Sequence, residues 1–331
     1  MRTNLPFFRL LALGFIAAAA AAVLGARWQE KLVVMPQDGM LVYAQDSEEG
    51  ALQGRDATQK IKKSDSGYVA EYGFRNFNDD QLTTRFEIAK DLYSGYEAEW
   101  GYKESDLVAL KAAHEAARKQ ALADAMKKGK TQQQLNDALA MLKTQYEKNK
   151  KEYLSARGFR LLADGVVEVD MPELIRKHAS RVVALSKLFD EISIARKYGG
   201  GDTIGAVTSM VQTAVMYKVP PNVVDGVHTG GLWPPEETLV KGWGDCDTKT
   251  GLLASILANF PGIKTIGLSL PDHYAMGVRR IPVKGDVFVE FEGQPYVLIE
   301  AAGPAWLPPG AISEGTQRLL ESKEGYKVDV F

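Results

Sequence analysis

The chain has 331 residues, 45% of them hydrophobic and 25% charged, with a formal net charge of −2 at pH 7. That balance fits a globular protein of two domains, or of one domain carrying an insertion. It offers no basic face for nucleic acid. A single cysteine, Cys246, excludes an intrachain disulfide and a cysteine-based metal cluster.

The N-terminus reads as a targeting element. Arg2 and Arg9 precede an Ala-rich apolar run from Leu10 to Gly25, and Arg27 follows it. A basic start, an apolar stretch and small residues fit a secretory signal peptide over 1–27. The 16-residue run is short for a spanning helix, which needs roughly 20 residues, though an uncleaved anchor remains the alternative. Both readings place the remainder outside the cytoplasmic membrane, in the periplasm or on the membrane's outer face. Residues 28–66 show little periodicity and read as a linker.

Tyr68–Phe74 and Gln81–Ile88 read as strands, the second alternating Leu82, Thr84, Phe86 and Ile88. Asn76-Phe77-Asn78-Asp79-Asp80 between them supplies turn residues, so a hairpin is predicted. Two charged helices follow, at about 105–156. Ser105 is the expected N-cap of the first, and Gly129 breaks the run. Thr131 and Gln134 form the capping box of the second. Leu135, Leu139, Leu142, Tyr146 and Tyr153 give that helix one apolar seam. The pair is an antiparallel αα-hairpin, either simply solvated or acting as a protein-docking arm.

Phe159–Val169 reads as a strand pair around Ala163-Asp164-Gly165, expected to join the earlier hairpin. The arm is then an insertion in a small β-rich region over 67–169. From 170 onward a compact α+β domain is expected. Asp170, Pro172 and Glu173 signal a helix start, followed by Leu174, His178, Val182, Leu185, Phe189 and Ile192 on one face. Gly199-Gly200-Gly201 lacks the spacing of a phosphate loop and reads as a turn. Thr203–Tyr217 is an amphipathic helix with Ile204, Val207, Val211 and Val215 inward, and a helix from Cys246 runs to about Asn259. Lys264–Leu270, Tyr274–Arg280, Asp286–Phe291 and Pro295–Ile299 read as strands, the last three as an antiparallel meander.

Cys246 follows Gly242-Trp243-Gly244-Asp245 at the predicted start of its helix. A thiol there meets the positive end of the helix dipole. Of the four histidines, His114 and His178 fall within helices, and His228 lies in a glycine-containing loop. His273 stands at a strand mouth, where an imidazole can serve a cysteine nucleophile as proton acceptor and donor. Glu300 ends the run Tyr296-Val297-Leu298-Ile299, and a buried carboxylate there needs a partner such as histidine.

This order of residues resembles the transglutaminase-like superfamily, in particular its bacterial transglutaminase-like cysteine peptidase branch. The similarity is carried by Pro235-Glu236-Glu237-Thr238-Leu239, Gly244-Asp245-Cys246-Asp247, Asp272-His273-Tyr274-Ala275-Met276-Gly277-Val278 and Tyr296–Glu300, and it covers about 170–305. Met210-Val211-Gln212 and Met216-Tyr217 resemble the helix before that branch's catalytic turn. The resemblance implies a papain-like α+β core, with a helix-borne cysteine packed on an antiparallel sheet. It implies Cys246 as nucleophile, His273 as base and acid, and Glu300 as orienter where the family usually has Asp. It also implies Gln212 and the Cys246 backbone N–H as oxyanion donors. Asp245 and Asp247 could echo calcium ligands of some members, or serve simply as helix N-terminal caps. No cofactor is implied. The function expected is cleavage of an amide or peptide bond in a protein or peptide. Acyl transfer to an amine and a non-catalytic binding module are the alternatives.

Overall fold

In the computed structural model, residues 56–303 and 306–331 are described. The predicted signal segment and most of the predicted linker therefore lie outside the described residues. The chain begins with three antiparallel strands, β1 (Thr58–Lys63), β2 (Gly67–Arg75) and β3 (Gln81–Ala89), in the order β1-β2-β3. The β2–β3 hairpin is the predicted one. Its turn is built by the Asn76 side-chain oxygen, which accepts from the Asn78 and Asp80 backbone N–H groups at 3.0 and 2.9 Å.

β1 corrects the linker expectation for 28–66. Its sequence, Thr-Gln-Lys-Ile-Lys-Lys, has no apolar alternation to reveal it. Backbone pairing to β2 makes it a strand, and its lysines suit an exposed edge. Gln59 also reaches inward, donating to the carbonyls of Ala214 and Gly242 at 3.0 and 2.6 Å.

A helix absent from the sequence reading, α1 (Lys90–Glu99), leads through β4 (Tyr102–Lys103) into the arm, α2 (Glu104–Lys128) and α3 (Gln132–Ala156). The capping box at Thr131 and Gln134 forms as expected. The expected Ser105 cap does not: the N-cap is Lys103, two residues earlier, with no side-chain cap bond. His114 stacks on Tyr146 across the seam, with ring centroids 4.7 Å apart.

β5 (Phe159–Leu161) and β6 (Val167–Val169) pair only with each other among the described residues, so the expected junction with the first hairpin is not made. Nor is there a boundary at 170. All described residues belong to one compact unit. The physical reason lies in β2 and β3, whose inward residues Ala70, Tyr72, Phe74, Leu82, Phe86 and Ile88 need an apolar cover. That cover comes from later helices. Tyr72, fully buried, donates its hydroxyl proton to the Leu239 carbonyl at 2.6 Å.

The helix predicted after Asp170 is broken into α4 (Met171–His178), a 3₁₀ turn (Ala179–Val182) and α5 (Val183–Arg196). Its apolar face survives the break, because Leu174, Val182, Leu185 and Phe189 are all buried in the common core. Next comes α6 (Gly200–Ala214), which includes two of the three glycines and ends earlier than predicted. It is buried throughout from Thr203 to Ala214 rather than amphipathic. Met216 and Tyr217, expected in that helix, form the short strand β7.

The chain then passes through β8 (Val223–Val224) and β9 (Val227–His228) to α7 (Pro235–Lys241), β10 (Trp243–Gly244) and α8 (Cys246–Leu257). β11 (Thr265–Leu270), β12 (His273–Arg279), β13 (Phe288–Phe291) and β14 (Gln294–Ile299) follow. Finally α9 (Glu314–Leu320) precedes β15 (Lys327–Val330). The last sheet is antiparallel with order β13-β14-β12-β11-β15. It is not the expected meander, since β14 inserts beside β12 and leaves β13 at the edge. Tyr274, Met276, Val278, Val297 and Ile299 enter the main core with α8. Ile266, Leu268, Val289 and Leu298 form a second core with Ile312 and Leu320. The fold is α+β. Among the described residues, no helix is long and apolar enough to cross a membrane.

Candidate active site

Local chemistry fixes the start of α8. Asp245 is its N-cap, and the Thr248 N–H is shared between Asp245 Oδ1 at 3.4 Å and Asp247 Oδ1 at 2.8 Å. Gly244 is needed because a Cβ there would lie 2.3 Å from Thr248 Cγ2. β10 runs parallel to β7, pairing Gly244 with Tyr217. Cys246 thus occupies the first helical position, partly exposed, at the end of a buried helix.

Across from it, Leu270 and His273 pair at the end of a tight hairpin whose two-residue loop is Pro271-Asp272. Proline presets the first loop position, and Asp272 takes the left-handed conformation at the second (φ 52°). His273 therefore starts β12 at a defined place. Thr250, one turn along α8, donates to the Tyr274 carbonyl at 3.4 Å and ties helix to strand. The backbone N–H of Tyr274, next to His273, is directed at the Cys246 thiol.

His273 Nε2 lies 2.8 Å from Glu300 Oε1, in a pair about nine-tenths buried. The sequence expectation that Glu300 is buried beside a histidine is met. Burial pushes the Glu300 carboxyl upward. The hydrogen bond and charge of His273, the Thr316 hydroxyl and the Ser313 N–H outweigh it and hold the group below the usual carboxylate range. Thr316 donates to Glu300 Oε2 at 2.6 Å and lies 3.1 Å from His273 Nε2.

Gln212 does not match its expected role as an oxyanion donor. Its Nε2 donates to the backbone carbonyls of Glu300 and Leu307, and its Oε1 accepts from the Leu307 N–H at 3.0 Å. Both amide hydrogens are engaged and the side chain is fully buried, so it braces the segment after Glu300.

The thiol itself is held well above its ordinary value. Burial is the main cause, followed by the negative charge of Asp247 and Asp245. The N–H groups of Tyr274 and Asp247 pull the other way. Asp247 is itself pushed well above the usual carboxylate range by burial and by Asp245. In its ground state Cys246 is therefore a thiol. At this helix start, burial and the two acidic flanks outweigh the favourable pull of the N-terminal N–H groups.

Two residues escaped sequence reasoning. Tyr217 sits within the field of Cys246, Asp245, Asp247 and Glu300, which with burial raises its phenol. Thr316 lies in α9, far along the chain, and only its Ser313 N-cap, which accepts from the Thr316 N–H at 3.1 Å, is legible locally. His228 pairs with Tyr102 across β4 and β9 and stacks on its ring with centroids 4.7 Å apart. His178 instead joins a buried network, 2.8 Å from Glu236, which also accepts from Arg181 at 2.8 Å.

Lys249, one turn past Cys246, is fully buried. Its amine donates to the carbonyls of Gln212 and Val215 at 3.1 and 2.9 Å, at the end of α6. Burial pushes it down to about 7, against a smaller upward pull from Asp245. Among the described residues, no group of three or more His, Cys, Asp or Glu side chains is arranged to hold a metal ion. Comparisons with family models, curated proteins and solved structures find no match to this chain.

Proposed function

We propose that the chain is an exported thiol hydrolase of transglutaminase-like type, with a papain-like core, that cleaves an amide or peptide bond in a protein or peptide substrate. The observation that carries this reading is the buried His273–Glu300 pair at 2.8 Å, one residue from the backbone N–H that meets the Cys246 thiol. A carboxylate that bonds one imidazole nitrogen fixes the ring for proton transfer at the other. Burying such a pair is costly, and its placement beside the chain's one thiol supports a catalytic use.

In the proposed reaction, Cys246 Sγ attacks the carbonyl carbon as His273 takes the thiol proton. The C–N bond breaks, and His273 gives that proton to the leaving amine. Water then adds to the thioester, again losing a proton to His273, and the acid leaves as the thiol is restored. Because the resting thiol is protonated, transfer to His273 accompanies attack rather than preceding it. Export rests on the Arg2–Arg27 pattern, and membrane attachment follows only if that segment is retained. The helical arm is proposed as a docking surface for protein.

The test needs no natural substrate. With p-nitrophenyl acetate, the full chain is expected to give a burst of p-nitrophenol and an acetyl group on Cys246 by mass spectrometry. Cys246→Ala should give none, and His273→Ala should slow the burst by about 100-fold. A wild-type burst no larger than that of Cys246→Ala defeats the enzyme reading and leaves a binding module. Adding a primary amine separates the two acyl acceptors: amide product in place of acetate marks transglutamination.

A further inference from the structure

The segment that follows Glu300 carries no residue of the expected triad, yet it returns to the site. Gln212 holds it at Leu307, and the Trp306 indole N–H donates to the Arg75 carbonyl at 3.2 Å. From there the chain reaches Ser313 and α9, which sets Thr316 over Glu300 and His273. Thr316 is 2% exposed, so its hydroxyl must find partners inside the protein.

We propose that Thr316 is a positioning residue of the Cys246–His273–Glu300 site, whose hydroxyl clamps Glu300 Oε2 and fixes His273 with its proton on Nε2. The inference deepens the hydrolase reading and rests on it for its catalytic meaning, though the hydrogen-bond argument stands on geometry alone.

A hydroxyl has one proton and two lone pairs. An ionised carboxylate only accepts, so the Thr316 proton goes to Glu300 Oε2, at 2.6 Å. The lone pairs of Thr316 Oγ1 then face Ser313 Oγ at 3.0 Å and His273 Nε2 at 3.1 Å. Ser313 Oγ already accepts from the Thr316 N–H at 3.1 Å, and its own proton is available for Thr316. The remaining lone pair can accept, and His273 Nε2 is the group there. Glu300 Oε1 also lies 2.8 Å from the same Nε2. A bare Nε2 lone pair would instead oppose the carboxylate. Nε2 keeps its proton whether the ring is neutral or charged. The exchangeable proton is therefore at Nδ1, the nitrogen left to serve the thiol.

Without the hydroxyl, the partner left to Glu300 Oε2 among the described residues is the Ser313 N–H, at 3.5 Å. The carboxylate can then turn, and the imidazole loses its fixed tautomer. The experiment is two-bond ¹H–¹⁵N correlation on the full-length protein labelled at histidine, with His273 assigned by comparison with His273→Ala. Wild type should show the Nε2–H pattern for neutral His273. Thr316→Val should shift those nitrogens toward tautomer-averaged values, and Thr316→Ser should restore the wild-type pattern. The acetyl burst should fall about tenfold or more in Thr316→Val, with recovery in Thr316→Ser. A wild-type Nδ1–H pattern overturns the proposal, as does a Thr316→Val spectrum unchanged at His273. The wild-type spectrum keeps it falsifiable even if Thr316→Val fails to fold. If no burst occurs but the tautomer responds, the hydrolase reading falls and the clamp stands.

Discussion

Replacing Lys249 by Met tests the electrostatics of the helix that carries Cys246. The amine is fully buried against two carbonyls and pushed down to about 7 from 10.5. A lysine depressed in the folded state binds fewer protons there than in the unfolded chain. Its contribution is therefore full above the unfolded value and is lost as pH falls through about 7. With that shift, keeping the amine buried costs about 4 kcal/mol at pH 7 and about 2.5 kcal/mol at pH 8.5. Wild type should thus gain about 1.5 kcal/mol over the variant between those two pH values. Met also leaves the Gln212 and Val215 carbonyls without their donor, a cost of about 1–3 kcal/mol that does not vary with pH. Urea unfolding of both proteins at pH 7 and 8.5 measures the difference. Comparing the two proteins cancels the thiol and the tyrosines, which titrate higher. If the stability difference between wild type and variant is the same at both pH values, Lys249 ionises normally and the burial argument fails.

Two further predictions concern neighbouring charge. Removing Asp245 alone relieves its upward push on Asp247, so both carboxyls are replaced together. The double variant Asp245→Asn/Asp247→Asn keeps the Asn cap while removing the charge that raises the Cys246 thiol. Its iodoacetamide alkylation at pH 8 should run severalfold faster than wild type, and an equal or slower rate counts against the electrostatic account. Glu236→Ala leaves His178 buried and Arg181 without its inner partner. It should cost about 3–5 kcal/mol in urea unfolding, and a loss under about 1 kcal/mol would mean that the network is not a brace.

Local signals were read where they were complete within a few residues. The Asn76–Asp80 turn and the Thr131 capping box each need only their own side chains and backbone. The same holds for the start of α8 at Asp245 and Cys246. The strand β1 was missed because its Lys-rich sequence carries no buried face, and pairing to β2 is a contact between segments. The break between α4 and α5 was missed because the apolar spacing continues through it. Gln212 was misjudged for a related reason: its residue type suits an oxyanion donor, but its amide is consumed by Glu300 and Leu307.

The sequence by itself determined that the molecule has one thiol at a helix start, a histidine at a strand mouth and a carboxylate at a buried strand end. Periodicity and turn chemistry are properties of short windows, so they place such groups on their elements. Tertiary structure alone decided that His273 meets Glu300, that Thr316 joins them from the C-terminal segment, and that Asp245 and Asp247 raise the thiol. Those outcomes depend on distances across the chain and on how much water is excluded. Neither is encoded in the spacing of residues along one segment.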